Sequence, residues 1–161
     1  MEIGIRQAEH GDIPELARLI AGMAAYHEAL DERERFDWDQ IRKAYEWLPA
    51  VLHRDHHAIW VAEHAQSQLA GYLWIRLQRS YDGRIPPVTG YINQAFLEEA
   101  WRGHGLIKRM LAQAYKWFRD KGVTVITLRV LNRNWLGSTS WYKNGFEDWY
   151  GERMLLLKPR A

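Results

Sequence analysis

YINQAFLEEAWRGHGLIKRML, residues Tyr91 to Leu111, sets an apolar-rich strand, a short polar loop, two glycines and a helix in one order. Tyr91, Ile92, Ala95, Phe96 and Leu97 carry the β-branched and aromatic bias of a strand, whereas Leu106, Met110, Leu111 and Ala114 recur at helical spacing. Between them, Arg102-Gly103-His104-Gly105 brings two residues without a Cβ, so the chain can turn sharply and a ligand can approach its backbone. The first N–H groups of the following helix have no partner within it and point at that ligand, and the helix dipole adds partial positive charge. A phosphate or pyrophosphate fits such a site. Two nucleotide motifs do not fit: GxGxxG fails because Lys108 stands where the third glycine is needed, and no GxxxxGK[ST] run exists.

Farther on come a second strand, Val123 to Val130, then Asn132 and Asn134, a short helix, and Lys143-Asn144-Gly145-Phe146. Taken with these, Arg102-Gly103-His104-Gly105-Leu106-Ile107 resembles the Q/R-x-x-G-x-G/A signature of the GCN5-related N-acetyltransferases. It matches at Arg102 and Gly105 and departs at Ile107, and Lys143 to Phe146 is similar to the family's closing K-x-G-F. The resemblance covers the chain in element order and is motif-specific from about Tyr91 to Phe146. It implies the acyl-CoA N-acyltransferase fold, an α/β architecture with a mixed, mostly antiparallel central sheet flanked by helices. In that family the sheet splays after the glycine-loop strand and the acyl donor lies in the cleft. The implied co-substrate is acetyl-CoA. Its pantetheine arm would lie along the backbone of Ala95, Phe96 and Leu97, in the manner of an added strand. Its pyrophosphate would meet Arg102, Gly103, His104, Gly105, Leu106 and Ile107, displaced toward the two glycines by the β-branched Ile107. Arg102 either pairs with phosphate or forms a salt bridge with Glu98 or Glu99, and Lys108 and Arg109 either reach the 3′-phosphate or form a solvated helix face. Asn134 is carried over to the donor site by the same resemblance.

Acetyl transfer to an amine needs a neutral amine, an oxyanion donor and an acid for the leaving thiolate. Many relatives carry acidic residues where Asn93 and Gln94 stand, which brings into consideration a water relay or a base from the Tyr26 to Asp37 segment, with His27 and Glu28 as candidates. For the acid, the family's Y-x-x-x-G-F spacing lands on Trp141, whose indole does not give up its proton. The neighbouring Tyr142 is the expected general acid, provided the helix is rotated or shortened to bring it round. Glu28, Asp31, Glu32, Glu34 and Asp37 crowd the connection expected to overhang the acceptor, which suggests a cationic small molecule or peptide amine.

At 161 residues the chain fits one N-acetyltransferase domain, 1–161, able to bury roughly 70% of its unfolded surface. Zero cysteines exclude disulfides, thiolate nucleophiles and zinc–thiolate sites, so transfer is expected to be direct rather than through an acylated cysteine. A charged N-terminus and the lack of any stretch near ~20 apolar residues give a cytoplasmic expectation, with no membrane partner. The net charge of +2 does not call for nucleic acid. His53, His56 and His57 cluster, but adjacent loop histidines chelate poorly, and no metal is expected. A homodimer is compatible with all of this. The rival readings are a catalytically silent CoA-binding module, an enzyme using another acyl-CoA such as succinyl-CoA, and a nucleic-acid module favoured only by the pI of 8.9 and abundant tryptophan.

The remaining expectations are local. They are a strand at Ile3 to Gln7, a helix to about Ala29 opened by an Asp12/Glu15 capping box, and an exposed connection to Asp37. Next come a second helix kinked or ended by Pro49, a hairpin of Ala58–Glu63 with Leu69–Gln78 across a turn at residues 65–68, and a last strand at Phe146–Leu157. The order is β-α-α-β-β-β-α-β-α-β.

Overall fold

Apolar side chains recur with period two in the strands and near 3.6 in the helices, and this divides them between two cores on opposite faces of one sheet. The computed structural model describes residues 3–65, 68–80 and 83–157. In chain order the elements are β1 (Gly4–Gln7), α1 (Ile13–Leu30), α2 (Trp38–Arg42), α3 (Ala44–Leu52), β2 (His57–Ala65), β3 (Gln68–Arg79), β4 (Val88–Leu97), α4 (Leu106–Asp120), β5 (Ile126–Leu128) and α5 (Trp135–Lys143), with short 3-10 turns before α1 and α4. The sheet order is β1-β2-β3-β4-β5, antiparallel except for the parallel pair β4 and β5. Ile59, Val61, Tyr72 and Trp74 face α1 and α3, where Leu16, Leu19, Ile20, Ala44 and Leu48 bury them. Ala58, Ala62, Leu73 and Ile75 face Leu106, Met110, Leu111, Ala114 and Phe118 of α4.

Four local expectations change. The Asp12/Glu15 capping box does not form, because both carboxylates are committed elsewhere. Asp12 takes two bonds from Arg6, at 2.7 and 2.8 Å, and one from the Glu9 N–H at 2.7 Å. Glu15 pairs with Arg18 and accepts from the Leu69 N–H. The second helix is two, broken at Lys43, and Pro49 lies inside α3 rather than ending it. The N–H that proline lacks would have bonded the carbonyl of Tyr45, a residue on the exposed side of the helix, where solvent can reach an unpaired carbonyl. Beyond β4 the parallel partner covers only Ile126–Leu128. The strand expected over Phe146–Leu157 is not formed; this stretch carries exposed Trp149, Tyr150, Met154 and Leu155 instead. The turn expected at residues 65–68 falls mainly on 66 and 67, outside the described residues.

Two of the clustered histidines are used locally, His57 within the sheet and His53 at the end of α3. The Trp74 Nε1–H donates to His57 Nδ1 at 2.9 Å, which requires a neutral acceptor ring, and His53 Nδ1 lies 2.7 Å from the Pro49 carbonyl. Burial, helped by His56, Arg54 and Arg76, pushes His57 down to about 4. A histidine depressed in the folded state stabilises above its unfolded value, about 6.5, and that stability is lost as the pH falls toward the folded value. The thermal midpoint of the wild type is therefore expected to fall between pH 7 and pH 4.5. His57→Gln, whose side-chain oxygen still accepts from Trp74, should flatten that slope. Parallel slopes in the two proteins would assign the acid lability to other groups.

Candidate functional site: an opening in the sheet beside a glycine loop

β4 is followed by β3 along its whole length, but by β5 only from Gly90 to Ile92. The change comes at Asn93. The β3 register steps from Trp74↔Gln94 to Ile75↔Ile92, leaving Asn93 as a bulge residue, and a bulge bends its strand. Gln94 is fixed next to it by the buried Tyr72, whose hydroxyl donates to Gln94 Oε1 at 2.8 Å. Past the bulge, the edge of β4 away from β3 has no neighbouring strand among the described residues.

The direction of the backbone groups on that edge follows from one bond. The Glu98 N–H donates to the Ala70 carbonyl on β3 at 3.0 Å, and a trans peptide sets the Leu97 carbonyl on the opposite side. The Leu97 C=O therefore faces the opening. By alternation, so do the N–H and C=O of Ala95, while those of Phe96 face Tyr72 of β3. Of the three residues expected to pair with a pantetheine arm, Ala95 and Leu97 present backbone to the opening. Phe96 does not; its ring packs on the α1 side.

At the end of this edge the chain turns through Gly103 and Gly105, with φ of 80° and 73°, left-handed values that favour glycine. A Cβ at either would meet nothing within 4 Å, so the backbone there is open to approach. Gly105 caps α4 without a side-chain bond, and the first closed turn runs from the Arg109 N–H to the Gly105 carbonyl at 3.1 Å. The N–H groups of Leu106, Ile107 and Lys108 are thus left for a ligand. The Leu106 side chain is buried and that of Ile107 packs beside it, so the β-branched residue turns inward. His104 is exposed, with Nδ1 2.9 Å from the Arg102 carbonyl. Lys108 is exposed on the first turn, while Arg109 donates to the Ile3 carbonyl at 2.7 Å. Arg102 pairs with neither Glu98 nor Glu99. Its Nε donates to the Leu97 carbonyl at 3.1 Å, and Glu98 is bonded by Arg18.

Across the opening, Asn134 caps α5, accepting from the Gly137 N–H at 2.9 Å. It also accepts from the Tyr26 hydroxyl at 3.4 Å. Tyr26 was not singled out by the sequence, where it opens the charged stretch to Asp37 that reads as an exposed connection. Trp141 packs inward against Phe146. Tyr142, expected as the general acid, stands one residue round the helix, about 100° away. It is 54% exposed and donates to Asp148 at 2.7 Å. That carboxylate holds the phenol above its usual value, which makes it a poorer proton donor. A working general acid is worth about 10²-fold or more. Tyr142→Phe is expected to keep kcat within about twofold, measured at saturating acetyl-CoA; a tenfold fall would return Tyr142 to the mechanism.

The acidic connection is tied down. Glu28 accepts from the Phe36 N–H at 2.9 Å and from the Trp38 indole at 3.2 Å, and Asp37 caps α2. The buried Asp31 binds Arg33 and lies 3.5 Å from Arg133, and these arginines, Arg33 first, hold its carboxyl well below the usual range. His27 packs between Tyr26 and Phe36, and burial pushes its ring toward the neutral form. Glu28 is thus a fastener. Of the two candidate bases, His27 has a ring packed against Tyr26 that burial biases toward the neutral form. Among the described residues no three His, Asp or Glu side chains meet as a metal would need, and no helix is long and apolar enough to cross a membrane.

The profile of the acetyltransferase (GNAT) family matches residues 22–146. An uncharacterized N-acetyltransferase of Bacillus subtilis, YycN, is 27% identical over 101 residues, which are 63% of this chain and 62% of that protein, so the match spans under two thirds of the relative's length. The aminoglycoside N(6′)-acetyltransferase type 1 of Stenotrophomonas maltophilia is 25% identical over 119 residues, 73% of this chain and 69% of that one. The structure of a predicted acetyltransferase with acetyl-CoA from Clostridium acetobutylicum superposes with a TM-score of 0.71 at 21% identity, covering 98% of this chain and 96% of the other.

Proposed function

The chain belongs to the acetyltransferase (GNAT) family, and on that premise we propose that it transfers an acetyl group from acetyl-CoA to the primary amine of a small molecule by direct attack. The observation that carries this reading is the opening of the sheet at Asn93, with the two left-handed glycines and the free N–H groups of α4 at its end. The residues fit the donor on their own terms. Ala95 and Leu97 offer an unpaired strand edge to the two amides of a pantetheine arm. Gly103 to Ile107 offer backbone N–H groups and helix-end charge to a diphosphate, Lys108 stands exposed beside them, and Asn134 forms the far wall. Bound there, acetyl-CoA supplies a thioester whose carbonyl is open to a nucleophile.

The chain's own part is to bring a neutral amine to that carbonyl and to take its proton. His27, neutral and packed beside Tyr26, is the group we assign to proton acceptance; the leaving thiolate, with an acidity near that of cysteine, about 8.5, is protonated by water. On the acceptor side three of the five carboxylates are bonded within the chain, which leaves Glu32 and Glu34 to attract a cation. A relative named for aminoglycoside N(6′)-acetylation points the same way, to a small-molecule amine. We therefore place a cationic amine ahead of neutral and anionic ones.

The test is acetyl-CoA consumption with a panel of cationic, neutral and anionic amines, products identified by mass. Acetylated cationic amines are the expected result. Tight CoA binding with no product from any amine would favour the silent CoA-binding module, for which the absence of a carboxylate at Asn93 and Gln94 is the specific argument. Equal rates across the three charge classes would remove the cationic preference.

A further inference from the structure

We infer that Arg102 is a displaceable occupant of the donor opening, exchanged against the donor's diphosphate when the donor enters; this rests on the reading of the opening as a CoA site. Its Nε donates at 3.1 Å to the Leu97 carbonyl, the same carbonyl that the Glu98–Ala70 bond turns toward the opening. Its guanidinium lies 4.8 Å from the ring centre of Tyr26 and 6.0 Å from that of Phe96, within the range of cation–π attraction. The Tyr26 hydroxyl in turn reaches Asn134 on the other wall at 3.4 Å. One side chain thus joins α1, the end of β4 and the glycine loop, and through Tyr26 the cap of α5.

The contacts are strong enough to hold Arg102 and weak enough to give up. None is an ion pair, since Glu98 is bonded to Arg18. Among the described residues the terminal N–H groups of Arg102 have no hydrogen-bond partner. A ligand amide that pairs with the open edge at the Leu97 carbonyl competes there with Nε and with the arginine side chain lying against that edge. The diphosphate of CoA, seated one residue farther on, offers the released guanidinium a charged, two-pronged partner in exchange. An arm without phosphate dislodges Arg102 and returns nothing.

Removing Arg102 should therefore move two ligands in opposite directions. Wild type and Arg102→Met, both as the full chain, are titrated calorimetrically with CoA and with pantetheine. The expected result for Arg102→Met is CoA about tenfold weaker and pantetheine about fivefold tighter. Arg102→Lys keeps a charge near the glycine loop but loses the Nε donor, so pantetheine should tighten while CoA stays within about threefold. It also carries the test if the methionine variant does not fold. An arginine that only pairs with phosphate would weaken CoA and leave pantetheine unchanged, and one that only supports the fold would weaken both; either pattern overturns the inference. A wild-type protein that fails to bind CoA would instead overturn the reading of the site on which it rests.

Discussion

Gly105→Glu is expected to abolish CoA binding in a protein that still folds. Gly105 sits at φ 73°, where an L-residue is strained by about 1–2 kcal/mol, but a Cβ there meets nothing within 4 Å. The new side chain therefore has room. Its charge is favourable to the helix itself, because a carboxylate at the N-terminus of α4 complements the helix dipole. The same placement is unfavourable to the donor: the carboxylate competes for the N–H groups of Leu106, Ile107 and Lys108, and at about 4 Å it repels a diphosphate. Gly105→Ala carries the strain without the charge and should lose only a small part of the affinity. Calorimetric titration with CoA, next to a thermal melt, reads both effects. Unchanged CoA affinity in a folded glutamate variant would remove the glycine loop from the donor site.

Much of this site was legible in the sequence because its signals are local. A Cβ-free pair between a strand and a helix can be read from neighbouring residues, and so can the alternation that sends Tyr72 and Trp74 to one face and Leu73 and Ile75 to the other. What was not legible depends on partners far along the chain. Asn93 becomes a bulge only through its register against Trp74 and Ile75. Arg102 looked like a phosphate ligand or half of a surface ion pair. Its direction is set by Tyr26 on α1 and by the outward Leu97 carbonyl, neither of which its own neighbours reveal. Asp12 and Glu28 had the spacing of a cap and the position of a base, yet Arg6 in one case and the Phe36 N–H with the Trp38 indole in the other had the stronger claim. Tyr142 is carried away from the direction of Trp141 by the helix itself: one step is a quarter-turn and more, and its hydroxyl donates to Asp148 there.

The edge that would receive the donor also depends on a residue with no polar chemistry. Gly71 stands opposite Leu97 in the β3–β4 register, and a Cβ built on it would lie 2.3 Å from the Phe96 carbonyl oxygen and 2.9 Å from Leu97 Cα. Both are backbone atoms. A flexible side chain could swing aside, but these can retreat only if the end of β4 moves off β3. Gly71→Ala is therefore expected to cost about 3 kcal/mol of stability, at the upper end for overpacking. It should also shift Ala95 to Leu97, and a displacement approaching 1 Å in a positioning element can lower activity by about a hundredfold. Gly4→Ala, in β1, is the control: nothing lies within 4 Å of its Cβ, and loss of a glycine's unfolded freedom should leave it neutral or slightly more stable. Denaturant midpoints separate the two substitutions, and CoA titration well below the midpoint isolates the shift of the edge from unfolding. If Gly71→Ala melts with the wild type and binds CoA with wild-type affinity, the close approach of β3 does not set the edge, and the bulge at Asn93 alone must hold it.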